Sequence, residues 1–341
     1  MKKHEALGKY WEENTQVLRN FIELCPLFTK LAEEVAYVLE KTVNTENIEY
    51  SAIIHRTKTL DSFCEKATRK KYEDPLKQTS DIAGVRIVYL YISELPLIEK
   101  TIETNFVVVD KIDKVADSED NVFGYGAVHY IVRLGEKLSG ARYDELKNFV
   151  CEIQVRTILQ DAWALVGHHL SYKQESDVPK PLRRKLNALA GLFETADDQF
   201  NQLRAEQLKY REDMIHIFKK PERKKDAKQD LNIDNLSAYL DWKLPEREME
   251  SGDTGELLLE LVEAGYKTIV QLDEIIEKAS AAVCAYEEAN PPTEIFSQEP
   301  TKYTRTGFVR TALKFIDREY AMKNDAPLYA KMVRNYGHLI K

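Results

Sequence analysis

The chain has 341 residues, of which 43% are hydrophobic and 31% are charged. This composition is that of a globular protein and argues against a largely disordered chain, and the length suffices for one large domain or two ordinary ones. The formal net charge of −8 argues against a globally basic nucleic-acid-binding protein, although it leaves room for a local basic patch.

The cysteines Cys25, Cys64, Cys151 and Cys284 are too far apart in sequence for a CxxC metal site or a disulfide framework. We expect them to be reduced and mostly to fill space in the core. No apolar run reaches the roughly 18 residues of a membrane span, and the first residues lack the apolar core of a signal peptide. We therefore expect a cytoplasmic protein without membrane contact.

The first predicted elements are two helices. Residues 5–24 and 27–43 have amphipathic patterns, and in the second Leu31, Val35 and Leu39 fall at helical spacing. We expect both helices to be scaffold that packs against a sheet.

A third helix, from Tyr50 to Lys71, is predicted to carry many cations. Along it lie Arg56, Lys58, Ser62, Lys66, Arg69, Lys70 and Lys71. Lys58, Ser62 and Lys66 repeat at i+4 and would share one side of a helix. That side could grip a polyphosphate, although a solvated basic helix face has the same residue types.

A buried strand follows this basic segment. Residues 85–92 form a near-continuous apolar run, which is typical of a strand covered on both faces, and Asp81 lies at its start. A helix from Glu94 to Thr104, a short strand from Phe106 to Val109 and an acidic loop over 110–122 come next.

Another strand is predicted over 149–156. Alternation places Glu152, Gln154 and Arg156 on one face of it and leaves apolar residues on the other. The apolar face therefore packs against the core, and the polar face is available for function.

A strand over 127–134 is preceded by a tyrosine between two glycines. Alternation aligns Tyr125, Ala127 and His129. A carboxylate pair with a neighbouring Tyr, His, Gln and Arg indicates that a charged ligand is held on this sheet. The alternative for each carboxylate is a salt bridge to an arginine, either Arg86 or Arg156.

A helix over 157–173 completes the order β–α–β–β–β–α, which predicts a mixed sheet with helices on it. Residues 181–218 have the pattern of one long helix that packs against the first domain or against a second subunit. The stretch 219–230 combines proline with dense charge and predicts an exposed linker. The linker would separate a first domain, 1–218, from a helical domain, 231–341.

The C-terminal domain is predicted to be all-α. Its expected helices are 236–240, 255–264, 268–288, 306–322 and 327–336, with Gly265 between two of them and Thr268 as a candidate N-cap. We recognise no catalytic constellation in this sequence. Oligomerisation, regulation, partner binding and plain structural extension are its candidate roles.

Several motifs occur in a fixed order along the first domain. They are Arg56-Thr-Lys-x3-Ser-x3-Lys66, Asp81-Ile-Ala-Gly-x-Arg86, Gly124-Tyr-x3-His129, Glu152-Ile-Gln-Val-Arg-Thr157 and Trp163-Ala-x3-His168-x3-Tyr-Lys173. As a set they resemble the RelA/SpoT alarmone synthetase domain over roughly residues 30 to 205. The resemblance implies an α+β, nucleotidyltransferase-like fold, that is, a mixed β-sheet flanked by helices.

The resemblance also implies an activity: transfer of pyrophosphate from ATP to the 3′-hydroxyl of GDP or GTP, with Mg2+ as the cofactor. Asp81 and Glu152 would hold the metal, and Glu152 would also serve as general base. ATP would be bound by Arg56 and Arg86 at the adenine and by Lys58, Ser62 and Lys66 at the phosphates.

The acceptor nucleotide would be bound by the later motifs. Tyr125 would stack on its base, with His129, Gln154 and Arg156 around its sugar and phosphates. The residues of the closing motif, His168 and Lys173, would support the site.

The sequence departs from the family pattern at two positions. Asn121 stands where a lysine is frequent, and Ala127 stands where a serine is common. Either another lysine, such as Lys111 or Lys114, grips the acceptor's 5′ phosphates, or the acceptor differs, the 3′ end of tRNA being the alternative. A catalytically weak nucleotide-sensing or interaction module is a third reading. No His-Asp hydrolase signature is present.

Overall fold

The computed structural model describes residues 14–113, 126–169, 179–219, 230–248, 253–293 and 300–341. The elements of the first part are α1 (Thr15–Thr45), β1 (Tyr50–Thr57), α2 (Leu60–Lys70), α3 (Pro75–Gln78), β2 (Ala83–Tyr89), α4 (Leu95–Asn105), β3 (Phe106–Asp113), β4 (Val128–Leu134), β5 (Cys151–Thr157) and α5 (Ile158–His169). They are followed by the helices α6 (Lys180–Phe218), α7 (Ile233–Lys243), α8 (Asp253–Glu263), α9 (Ile269–Ala289), α10 (Arg305–Ile316) and α11 (Arg318–Tyr336).

The five strands form one mixed sheet in the order β1-β2-β5-β4-β3. The pair β2–β5 is parallel, and the pairs β1–β2, β5–β4 and β4–β3 are antiparallel. The predicted fold class, a mixed sheet flanked by helices and followed by helices alone, is confirmed.

The core of the sheet lies on the face that α1 covers. Helix α1 contacts β1, β2 and β5, and its Leu31, Val35 and Leu39 are fully buried. They share a core cluster with Ile87 and Ile153 from the two central strands. The near-continuous apolar run of β2 is buried along nearly its whole length, as predicted for a strand covered on both faces.

The predicted helix from Tyr50 to Lys71 is wrong in its first half. Tyr50–Thr57 forms strand β1, which pairs with β2 along its length, for example Ile53 with Ile87. The segment is rich in Tyr and Ile, which favour a pleated surface, and its partner strand supplies the missing hydrogen bonds. The helix begins after Thr59, whose side chain accepts a hydrogen bond from the backbone N–H of Ser62.

The two helices expected over 5–24 and 27–43 are one helix where the structure describes them. Helix α1 runs through Pro26 without ending. Its apolar stripe continues on both sides of the proline, with Phe21 and Phe28 both buried, so burial outweighs the lost hydrogen bond. Residues 1–13 lie outside the described part.

Helix α6 confirms the predicted long helix, and contacts along the chain separate two compact units inside it, between Leu203 and Arg204. Met214 and Phe218 near its end belong to the core of the second unit. The predicted linker 219–230 lies outside the described residues except at its ends, so its role stays a prediction.

The second unit packs its helices around an apolar core that includes Leu236, Leu272 and Val309. Two predicted signals are confirmed: Gly265 has a φ of 87°, and Thr268 forms a capping box with Gln271 at the start of α9. The helix expected over 306–322 is wrong, however, because the chain breaks at its middle.

The break is made by Asp317, between α10 and α11. Its carboxylate accepts hydrogen bonds from the backbone N–H of Tyr320 and from the hydroxyl of Tyr266. An aspartate that bonds the backbone ahead of it favours a helix start over a helix interior. Helix α11 in turn bends at Asp325, two residues before Pro327.

Of the helices that the structure describes, none has the length and apolar character that crossing a membrane requires.

A half-buried carboxylate follows β2. Glu94 accepts a hydrogen bond from the backbone N–H of Glu49 through Oε1, while its buried Oε2 has no hydrogen-bond partner among the described residues. Burial raises the pKa of Glu94 to about 7. The folded protein therefore prefers the neutral form of this carboxyl more strongly than the unfolded chain does.

We expect Glu94→Gln to stabilise the protein in a pH-dependent way. A raised carboxyl pKa contributes stability that is present below the unfolded value of about 4.3 and is lost as the pH rises through about 7. The free energy of unfolding, measured by urea denaturation, should therefore increase in the variant relative to the wild type as the pH rises from about 4 to 7. A difference that is constant over this range would contradict the account.

Candidate active site

The candidate site lies on the sheet face opposite α1. Cross-strand partners share a face, and two adjacent rows of partners carry five of the predicted site residues. One row runs from Arg56 through Gly84 to Glu152, and the next runs from Arg86 through Gln154 to His129. The parallel pairing of β2 and β5 thus brings the motifs on β4 and β5 next to those on β1 and β2.

Asp81 lies just before β2 and is held by two lysines. Lys58 Nζ donates a hydrogen bond to Oδ2 at 2.7 Å, and Lys66 Nζ lies 2.9 Å from Oδ1. Burial disfavours the charged form, but the two lysines outweigh it, so the pKa of Asp81 is below its ordinary value. The carboxylate is therefore ionised at neutral pH.

The start of α2 lies beside these lysines in sequence. Thr59 is its N-cap, and Ser62 lies in the first turn, one helical turn before Lys66. Lys58 precedes the helix, so the expected i+4 series is only partly helical, although Lys58 and Lys66 still meet at Asp81. A helix N-terminus flanked by lysines suits a phosphate group.

Glu152, on β5, accepts one hydrogen bond at each oxygen. His129 Nδ1 lies 2.9 Å from Oε1, and Gln154 Nε2 donates to Oε2 at 2.7 Å. Burial raises its pKa and the charge of Asp81 raises it further, but the hydrogen bonds from His129 and Gln154 leave the pKa of Glu152 below the ordinary value. The two carboxylates therefore influence each other and are both ionised.

Three arginines complete the face. A Cβ atom on Gly84 would lie 3.7 Å from Arg56 Cγ, so the Arg56 side chain runs across the glycine. Arg86 and Arg156 both lie near Asp161 Oδ1, at 3.0 and 3.6 Å. Burial and the charges of Arg86 and Arg56 lower the pKa of Arg156, against the opposing carboxylates.

Several donors on this face have no hydrogen-bond partner in the part of the chain that the structure describes. Two of them are the Nε atoms of Arg86 and Arg156. The ring nitrogen Nε2 of His129 also has no partner there. Buried polar atoms without partners are uncommon in folded proteins. Their concentration on one sheet face indicates that a polar ligand completes them.

Some predicted residues cannot be placed. Tyr125, Asn121, Lys114 and Lys173 lie outside the described residues, and for His168 only the backbone, in α5, is described. Ala127 is buried directly before β4.

Lys111, offered by the sequence as a substitute cation, points away from the site. It is the cross-strand partner of Tyr130, whereas its neighbour Ile112 is the partner of His129. Its Nζ lies 2.8 Å from Glu99 and above the ring of Tyr130.

The carboxylates fit a metal that substrate helps to hold. The described residues contain no group of three or more His, Cys, Asp or Glu side chains that could hold a metal ion. Two ionised carboxylates on one site match Mg2+, which is usually bound by one or two carboxylates together with phosphates and water. The chemistry of this donor set therefore suits Mg2+ bound together with a nucleotide.

Sequence reasoning missed two features of the site. Tyr50, Ile53 and Ile54 favour the strand β1, but the basic residues that follow them favour one helix from Tyr50 to Lys71 at the level of sequence. Asp161 was overlooked because it lies in an apolar stretch of α5 and only the fold brings it to two arginines.

We expect Gln154→Leu to lower the free energy of unfolding by about 1–3 kcal/mol, because it leaves one oxygen of a buried carboxylate without its donor while nearly keeping the side-chain shape. Urea denaturation measures this. The control Gln16→Leu, at an exposed glutamine of α1, should change it much less. Equal effects of the two substitutions would show that the bond to Glu152 contributes nothing.

Comparison with known proteins agrees with these motifs. A family model described as a region found in RelA / SpoT proteins matches residues 55–177. The GTP pyrophosphokinase YwaC of Bacillus subtilis (strain 168) is 31% identical over 157 residues, which cover 44% of this chain and 72% of YwaC. The GTP pyrophosphokinase YjbM of the same organism is 28% identical over 155 residues, which cover 44% of this chain and 70% of YjbM.

Among solved structures, small alarmone synthetase 1 of Bacillus subtilis bound to its product pppGpp is 23% identical, with a TM-score of 0.46, and the match covers 55% of this chain and 98% of that one. The family assignment rests on the sequence matches rather than on this superposition. The family model spans every predicted site residue, and the match to YwaC extends over most of that relative. The chain belongs to the RelA/SpoT family.

Proposed function

We propose that this chain transfers pyrophosphate from ATP to the 3′-hydroxyl of GDP or GTP and so makes guanosine tetra- and pentaphosphate, without a hydrolase activity. The observation that carries the proposal is the pair of ionised carboxylates, Asp81 and Glu152, on a sheet face that also presents lysines and arginines. Two relatives bear the name GTP pyrophosphokinase.

The reaction is a displacement at the β-phosphorus of ATP. The 3′-oxygen of the acceptor bonds to that phosphorus, the bond from it to the α,β-bridging oxygen breaks, and AMP leaves. The hydroxyl proton passes to a base. Such transfers depend chiefly on positioning and on neutralising phosphate charge, so a site dense in cations is suited to them.

On the donor side, Arg56 and Arg86 would enclose the adenine, and Lys58, Ser62 and Lys66 would bind the phosphates. Both lysines already contact Asp81. Binding of the nucleotide would therefore exchange partners, with the lysines turning from Asp81 to the phosphates and Asp81 turning to the metal. The exchange conserves ion pairs and so limits the desolvation cost.

Asp81 and Glu152 would hold Mg2+ together with the phosphates. When bound, Mg2+ neutralises the charge that develops on the transferred group. Glu152 would also accept the proton of the 3′-hydroxyl. A carboxylate has about four acceptor positions, so the bonds from His129 and Gln154 leave room for it to do so.

On the acceptor side, Tyr125 would stack on the base. His129 and Gln154 would contribute partly through Glu152, which they orient, and Arg156 would contribute its unpartnered Nε to a phosphate. His168 and Lys173 would support this end of the site.

The engagement of Lys111 with Glu99 favours a second candidate acceptor. Lys111 points to the opposite face of the sheet and so cannot replace the cation missing at Asn121. Of the two lysines named from the sequence, Lys114 remains as a candidate. An acceptor without a 5′ polyphosphate, the 3′ end of tRNA, would need no such cation.

The test incubates the protein with Mg2+ and γ-32P-labelled ATP, offering GDP, GTP and deacylated tRNA in separate reactions. We expect label on the guanine nucleotides together with release of AMP. Label on tRNA alone would show that tRNA is the acceptor in place of GDP and GTP. No transfer to any of the three would refute the proposed activity.

Asp81→Asn and Glu152→Gln should each lower the rate of transfer by about 10²-fold or more, because each removes a charge on which metal binding or proton transfer depends. The matched control is Glu136→Gln, at an exposed carboxylate after β4, which should retain the wild-type rate. Near-normal turnover in either site variant would remove that residue from the mechanism.

A further inference from the structure

Asp161 lies in the first turn of α5, directly after the strand that carries Glu152 and Arg156. Its Oδ1 is 3.0 Å from Arg86 Nη1 and 3.6 Å from Arg156 Nη1. All three side chains are largely buried. One carboxylate oxygen thus serves two arginines that come from different strands.

We propose that Asp161 is a positioning residue shared by the two nucleotide subsites, because it fixes Arg86 for the donor and Arg156 for the acceptor. This inference rests on the proposed function, in which these arginines belong to different substrates. Asp161 itself would touch neither nucleotide.

The charges around Arg156 call for a nearby carboxylate. Arg156 is close enough to Arg86 and Arg56 for their charges to lower its pKa, so the guanidinium groups repel one another. Among the described residues, Asp161 is the only carboxylate in ion-pair contact with Arg86 or Arg156. Without it, buried like charges would separate or draw in water.

Asp161 also leaves part of each arginine available to a ligand. The contacts to Asp161 use a terminal nitrogen of each arginine and leave Nε of both without a hydrogen-bond partner in the described part of the chain. The two contacts are ion pairs, since Asp161 Oδ1 accepts no hydrogen bond among the described residues. Asp161 therefore restrains both groups by charge without occupying the Nε donors that a nucleotide would use.

The direction in which nucleotide affinity changes in an Asp161 variant distinguishes positioning of the arginines from a simple effect of charge. Asp161→Asn removes a negative charge, and by Coulomb attraction alone it would tighten binding of anionic nucleotides. If Asp161 positions the arginines, the variant should instead bind both nucleotides more weakly. Positioning and simple charge therefore predict changes in opposite directions.

The experiment measures equilibrium binding of a non-hydrolysable ATP analogue and, separately, of GDP, by isothermal titration calorimetry with Mg2+. We expect Asp161→Asn to weaken both affinities roughly tenfold, within the range typical of coupled neighbouring residues. Arg86→Ala should weaken only the ATP analogue, and Arg156→Ala only GDP. Asp161→Glu should recover part of both losses, because it restores the charge.

The matched control is Glu34→Gln. Glu34 is a buried carboxylate that pairs with one arginine, Arg142, in the same unit but on α1. It should leave both affinities unchanged. Circular dichroism of each variant confirms that the fold is kept, and partial rescue by Asp161→Glu distinguishes positioning from a general loss of structure.

Unchanged or tighter binding in Asp161→Asn overturns the inference, as does a loss confined to one nucleotide. The result is independent of turnover: a wild-type protein that binds both nucleotides but transfers nothing refutes the proposed activity and still tests Asp161. A wild-type protein that binds neither nucleotide refutes both.

Discussion

The site depends on the parallel pairing of β2 and β5. The two strands lie far apart in sequence, and their register sets Gly84 beside Glu152 and Arg86 beside Gln154. Asp81, three residues before Gly84, is thereby carried to the same end of the sheet as Glu152. Parallel pairs need a long crossover, here α4, β3 and β4, and the third of these adds His129 to the row.

The charges on this face are compensated within the protein. Lys58 and Lys66 pair with Asp81, His129 and Gln154 pair with Glu152, and Asp161 faces two arginines. A buried charge without a partner is costly, so a site that waits for a charged ligand needs internal substitutes. Binding then replaces one set of partners by another, and the free energy of binding reflects the difference between the two sets.

The sequence sufficed for the parts of the molecule that local pattern determines. The buried run of β2, the two-faced alternation of β5, the long helix α6 and the cap at Thr268 were all predictable from residue types and spacing. It failed at β1, because basic residues on both sides of Thr59 hid the change from strand to helix. It also failed at α1, because two amphipathic patterns do not show that one helix continues through Pro26. Asp161 could not be assigned to the site, since its role arises only from contacts between separate elements.

Gly84 shows how closely the fold and the site are joined. It stands between Arg56 and Glu152 in one row of the sheet, and the Arg56 side chain lies across it. A single methyl group there would make ordinary contact with Arg56, at 3.7 Å, whereas a longer side chain would project into the space between the arginine and the carboxylate. The absence of a side chain at this central position lets a cation from the edge strand extend over the sheet toward the carboxylate at its centre.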